Sequence, residues 1–151
     1  MNALTPHHAF ASPAMLAALR ADIAARRKTR AVNLAIHARQ HGTPLLALAR
    51  FRLDRSAQTA LGRLLAAGAA EDRWTPGTTR DLRAVIRGLG AAIARRKEGA
   101  VTDAMAWHLE RLRELSAQDA RVVALEAVLD AHWPEGMKVL RQQAAAKGKR
   151  R

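Results

Sequence analysis

Arg55, Gln58, Thr59 and Arg63 are the residues in this sequence best suited to recognition chemistry. At helical spacing they share one side of a segment from Ser56 to Ala67, while Ala57, Leu61, Leu64 and Leu65 occupy the other. Arginine can pair with a guanine edge and glutamine with an adenine edge, so such a face could read a major groove. Gly62 on the same face costs roughly 1 kcal/mol against alanine, but it lets a phosphate backbone come close. Around this face stand three sets of cations: Arg26, Arg27, Lys28 and Arg30; Arg80, Arg83 and Arg87; and Lys147, Lys149, Arg150 and Arg151. Cations of this kind position a nucleic acid through its phosphates without reading its bases.

Other chemistry finds little support. His37 and His41 stand four apart and could share one metal, but nothing near them in sequence completes a tetrahedral site. There is no cysteine, hence no disulfide, thiolate nucleophile or cysteine zinc site. Serine occurs only at 12, 56 and 116, and two of these read as helix caps. The acidic residues are scattered over helix faces, with no paired carboxylates for acid–base work. The expectation is a protein without catalytic residues, metal or cofactor, and so not an enzyme.

The elements that must position the polar face lie between Thr43 and Trp74. Thr43-Pro44 reads as an N-cap followed by proline at the first helical position. Leu45, Leu46, Leu48 and Ala49 then form a short helix, Leu53-Asp54-Arg55 a turn, and Ser56 the cap of the next helix. This pair over 43–67 resembles a helix-turn-helix. An ordinary helical hairpin with a solvated outer face accounts for the same residues. A winged version is disfavoured because 69–81 lacks β-branched runs.

Composition sets the class. Alanine supplies 35 residues, whereas Leu, Ile, Val and Phe together supply 32 of 151, so the core is thin and built of leucine against alanine. Good helix formers dominate and β-branched residues are few, which predicts an all-α bundle of about five to six helices with a mobile basic tail. No apolar run nears the roughly 20 residues of a membrane span. The start lacks the pattern of a secretory signal, so a cytoplasmic location is expected. Net charge is +13, and its distribution is uneven. Residues 1–97 hold seventeen basic and five acidic residues, 98–135 three and eight, and 136–151 six and none.

Along the chain, 1–11 reads as a flexible arm and 12–136 as a single helical domain. Basic helices fill 12–97, and 13–41 forms either one helix or two broken near Thr29. Trp74-Thr75-Pro76-Gly77 marks a turn, followed by a capping box from Thr78 to Asp81. Leu82, Val85, Ile86, Leu89 and Ile93 give the next buried face, and Gly88 and Gly90 permit close helix approach. Ser116-Ala117-Gln118-Asp119 reads as a further capping box, which would divide 101–133 into an acidic helical hairpin. Trp107 falls off its main stripe and marks either a second contact surface or a two-sided core. The tail, 137–151, begins helical and carries no core-forming residue after Leu140.

Two functional expectations follow from this pattern. One is a small DNA-binding regulator or accessory factor that uses the 43–67 pair, with duplex DNA favoured over RNA. Few aromatic residues are available as stacking platforms, which argues against single strands. The other is a protein-interaction module whose basic face docks on an acidic partner. The acidic hairpin over 101–133 either folds against the basic body or pairs with a copy of itself, as a homodimer, or with another protein.

Overall fold

Alanine, leucine and arginine lose little on entering a helix, and every regular element among the described residues is one. The structure, a computed structural model, describes residues 12–70 and 74–149. It contains α1 (Pro13–Ala49), α2 (Arg55–Ala69), α3 (Pro76–Ala94), α4 (Ala100–His132) and α5 (Pro134–Lys149). The described residues include no strand, and none of their helices is long and apolar enough to cross a membrane. The all-α expectation therefore holds.

The chain divides into two compact units, Arg27–Ala120 and the pair Met1–Arg26 with Arg121–Arg151. In the first unit, Leu34, Leu45 and Ala49 of α1 join one core with Leu61 and Leu64 of α2, Leu82, Val85 and Leu89 of α3, and Met105, Leu109 and Leu112 of α4. Helices α2 and α3 come close at Gly88, where an added Cβ would lie 2.6 Å from the Ala57 Cβ. Gly90 faces open space, so only the first of the two glycines serves close packing. In the second unit, Ile23, Leu129 and Met137 form a smaller core with Leu16, Leu19, Leu125, Trp133 and Leu140. There Gly136 leaves room for the Trp133 indole, whose ring occupies the space a Cβ would need.

Several boundaries differ from the sequence expectation, each for a physical reason. Residues 13–41 form one helix, and it runs on through Thr43 and Pro44, so those two residues start nothing. An interior proline costs about 3 kcal/mol. Continuing the helix, however, fully buries Leu45 and Ala49 on the same face as Leu34, and each fully buried leucine contributes about 1.5–3 kcal/mol. The cap of α2 is Asp54, which accepts from the Ala57 backbone N–H at 2.8 Å; Ser56 lies inside the first turn. Helix α3 starts at Pro76, with Thr75 as N-cap and a capping box between Thr75 and Thr78. That leaves Asp81 for other work.

The largest correction concerns 101–133, which is a single helix rather than a hairpin. Ser116–Asp119 does not cap anything, because the Asp119 carboxylate is buried in an ion pair with Arg30. Leu112 is fully buried, and Leu125 packs in the second unit's core. The apolar stripe on which self-association was expected is therefore used inside the protein. The 136/137 boundary falls within α5. The proposed arm, 1–11, lies outside the described residues, as do Arg150 and Arg151.

Candidate functional site

The turn from Arg50 to Asp54 joins α1 to α2 and is held from several sides. Leu53 is buried and anchors it to the core. The Leu53 and Arg52 backbone N–H groups donate to the Ala49 carbonyl at 3.0 and 3.1 Å. Gln58 Nε2 donates to the Arg50 carbonyl at 3.1 Å and to the Leu53 carbonyl at 2.7 Å. From the end of α3, Arg95 Nη2 donates to the Arg52 carbonyl at 3.3 Å. Both amide hydrogens of Gln58 are thus committed to the backbone, and its role is to staple the turn.

The other expected base-reading side chains are similarly engaged. Thr59 Oγ1 donates to the Arg55 carbonyl at 2.9 Å. Arg63 forks onto Asp81, with Nη2 at 2.9 Å and Nε at 3.1 Å from Oδ1. Asp81 is buried, whereas the Arg63 side chain is 57% exposed. Hydrogen bonding to Asp81, and then its charge, raise the Arg63 pKa above the ordinary arginine value. Reading guanine with Arg63 would strip a buried carboxylate of its partner. The groove-reading expectation for Gln58, Thr59 and Arg63 is corrected accordingly: their polar groups serve the fold. Arg63→Ala is expected to lower the melting temperature while leaving preference among duplex sequences unchanged. Thermal denaturation and competition between two unrelated duplexes check both halves.

Of the expected phosphate-binding cations, Arg30 is also withdrawn. It is 6% exposed, pairs with Asp119, and lies 4.7 Å from the centre of the Trp74 ring. Arg26 is exposed and pairs with Asp22 at 3.0 Å, a contact that solvent weakens. Arg27 and Lys28 are exposed on α1. Arg55, at the start of α2, is exposed. Arg80, Arg83 and Arg87 are all exposed on one stripe of α3, opposite Leu82, Val85 and Leu89, and among the described residues neither they nor Arg55 has an ion-pair partner. The side chains of Lys147 and Lys149 lie outside what the structure describes. Arg55, Arg80, Arg83 and Arg87 are therefore the expected cations that the fold leaves available beside the turn and along α3.

The Arg27–Ala120 unit holds one further polar feature. His37 and His41 of α1 meet Trp107 and His108 of α4, with imidazole centroids 5.2 to 6.3 Å apart. Trp107 stands edge-on to His41 at 4.7 Å, which places this off-stripe residue in a contact of its own. An open cleft of about 270 Å³ adjoins it, lined by Asn33, His41, Arg111 and Gln118 among others. His37 Nε2 and His108 Nδ1 are buried without a hydrogen-bond partner. Burial lowers the His37 pKa to about 4, helped by the charges of His108, His41 and Arg111. Burial and then His41 lower that of His108. His108 is the third imidazole that sequence spacing did not reveal. Even so, among the described residues no three His, Cys, Asp or Glu side chains are placed to hold a metal ion. His37 and His108 are buried imidazoles whose charged form burial disfavours, and His41 is half-buried beside them.

Comparison with protein-family models finds no match, and neither the curated proteins nor the solved structures provide one.

Proposed function

We propose that this is a non-enzymatic nucleic-acid-binding protein, a small regulator or accessory factor, that grips its target by phosphate contacts. The observation that carries the reading is the exposed row Arg80, Arg83 and Arg87, without an ion-pair partner among the described residues, on a helix whose opposite face is core. Seven residues of helix span about 10 Å, so the three guanidinium groups line a short track suited to successive phosphates. Arg55 extends the cationic surface toward the turn. Arginine favours this use because its planar fork matches phosphate oxygens in pairs. Duplex DNA remains the favoured target, bound through its backbone rather than through a recognition helix. An acidic protein is the competing partner for the same cations, and regular salt dependence on a polyphosphate separates the two.

Replacing Arg80, Arg83 and Arg87 together with alanine tests this reading. Each lost duplex phosphate contact removes about 0.9 from the log–log salt slope, so the triple variant should be shallower by about 2.7. Its stability should change little, since none of the three is buried. An unchanged slope would remove α3 from the interface.

A further inference from the structure

Among the described residues Phe51 is the most exposed large apolar side chain at 82%, where the other exposed ones range from 38% to 50%. A single exposed apolar residue needs no explanation by itself. Three observations set this one apart. It sits at the tip of the turn between Arg50 and Arg52, and the Arg50 guanidinium lies 5.3 Å from its ring centre. The turn that presents it is pinned by Gln58 and Arg95 through the carbonyls of Arg50, Leu53 and Arg52. Finally, Arg50 and Arg52 flank it in the chain, Arg55 follows at the start of α2, and Arg95 reaches the turn from the end of α3. Asp54, the acidic member of the turn, is engaged in capping α2.

From this arrangement we infer that Phe51 is a stacking platform for an unpaired or unstacked nucleobase whose flanking phosphates are held by the arginines around the turn. The inference rests on the phosphate-gripping reading above and names what the surface takes beyond the backbone. An aromatic ring accepts any base on its face, because every base has a π surface, and neighbouring cations hold the strand. A ring carried on a turn whose backbone is already stapled asks little further backbone ordering on binding. Apolar wedges at the surface of minor-groove binders act on the same chemistry by entering between base steps. The base could therefore come from a single strand or from a step opened in a duplex; both present the same face to Phe51. The expectation that the chain lacks a stacking platform is thereby replaced: the aromatic residues are few, but one of them is displayed.

The test compares full-length protein with Phe51→Ala and Phe51→Trp on a single-stranded oligonucleotide carrying 2-aminopurine, the matching duplex, and anionic phospholipid vesicles. Phe51→Ala should weaken binding to the single strand by about 5- to 150-fold and abolish quenching of the 2-aminopurine. Its salt slope should match that of the wild type because no charge is lost. Phe51→Trp should retain both affinity and quenching. An equal loss on the duplex identifies an opened base step as the source, and a loss confined to the strand identifies an unpaired base. Wild-type affinity in Phe51→Ala, with the wild type itself binding, overturns the stacking role alone. Wild type that binds neither nucleic acid overturns the phosphate reading as well. Loss of vesicle binding with nucleic-acid binding intact assigns Phe51 to a lipid surface and also overturns the inference. An unchanged melting temperature in both variants confirms that the fold is intact.

Discussion

Asp119→Ala is expected to destabilise the protein by about 3–5 kcal/mol, the usual cost of breaking a buried ion pair by removing one partner. Asp119 is 2% exposed and accepts from Arg30, while its second oxygen accepts from Thr79 Oγ1 at 2.8 Å. Arg30 lies against the Trp74 ring and is 6% exposed. Removing the carboxylate takes its Asp119 contact from that guanidinium and leaves the Thr79 hydroxyl without this acceptor. Urea unfolding at pH 7 measures the effect as a fall in midpoint at unchanged slope. Replacing both partners, Arg30→Met with Asp119→Leu, should recover most of the loss, because a buried pair roughly breaks even against apolar residues of similar volume. A cost below about 1 kcal/mol for Asp119→Ala would mean that water reaches the pair. Arg30 would then be available to phosphates after all.

Acidification should weaken the fold well before the carboxylates titrate. His37 is 6% and His108 is 4% exposed, and both have their pKa lowered by burial, His37 to about 4 from an ordinary value near 6.5. Between those two values the unfolded chain holds a proton on His37 that the native protein does not. Stability is therefore complete above about pH 6.5 and falls as pH drops toward 4. For His37 alone the loss between pH 7 and pH 4.5 comes to about 2–3 kcal/mol, and His108 adds in the same direction. The groups facing it, His41 on the same helix and His108 and Arg111 on α4, all oppose the charge. Urea midpoints at pH 7.5, 6.5, 5.5 and 4.5 should decline in step, and His37→Phe should flatten that decline. A midpoint constant from pH 7.5 to 4.5 would show that the imidazoles are solvated.

How much of this could be read from the chain depends on whether a residue's partner was local. The helical class and the apolar stripes at Leu61 and Leu64, and at Leu82, Val85 and Leu89, follow from composition and spacing, and the structure buries them. Helix ends were less legible because cap signals are short-range and compete with burial. Pro44 and Asp119 both look like starts, yet Leu45 and Arg30 draw them into continuous helices. Polar roles were the least legible. A glutamine that reads adenine and one that staples a turn have the same sequence, and only the carbonyls of Arg50 and Leu53 tell them apart. Arg63 and Asp81 stand 18 residues apart, and Arg30 and Asp119 stand 89 apart, so no helical spacing links them. The three-histidine cluster needs the register of α1 against α4 within the Arg27–Ala120 unit, which no local pattern encodes. Phe51 had a visible signal, an aromatic residue between two arginines in a turn, but its exposure is a property of the fold.

The central claim is that the exposed arginines hold nucleic-acid phosphates without reading sequence. Equilibrium binding of the wild-type protein to two unrelated duplexes of equal length, titrated across salt, tests it most directly. Contact with about six phosphates predicts a log–log slope near −5, the same for both duplexes, with affinities that agree within a few-fold at every salt. A slope shallower than about −2, or a consistent gap of more than about tenfold between the two sequences, would contradict the account.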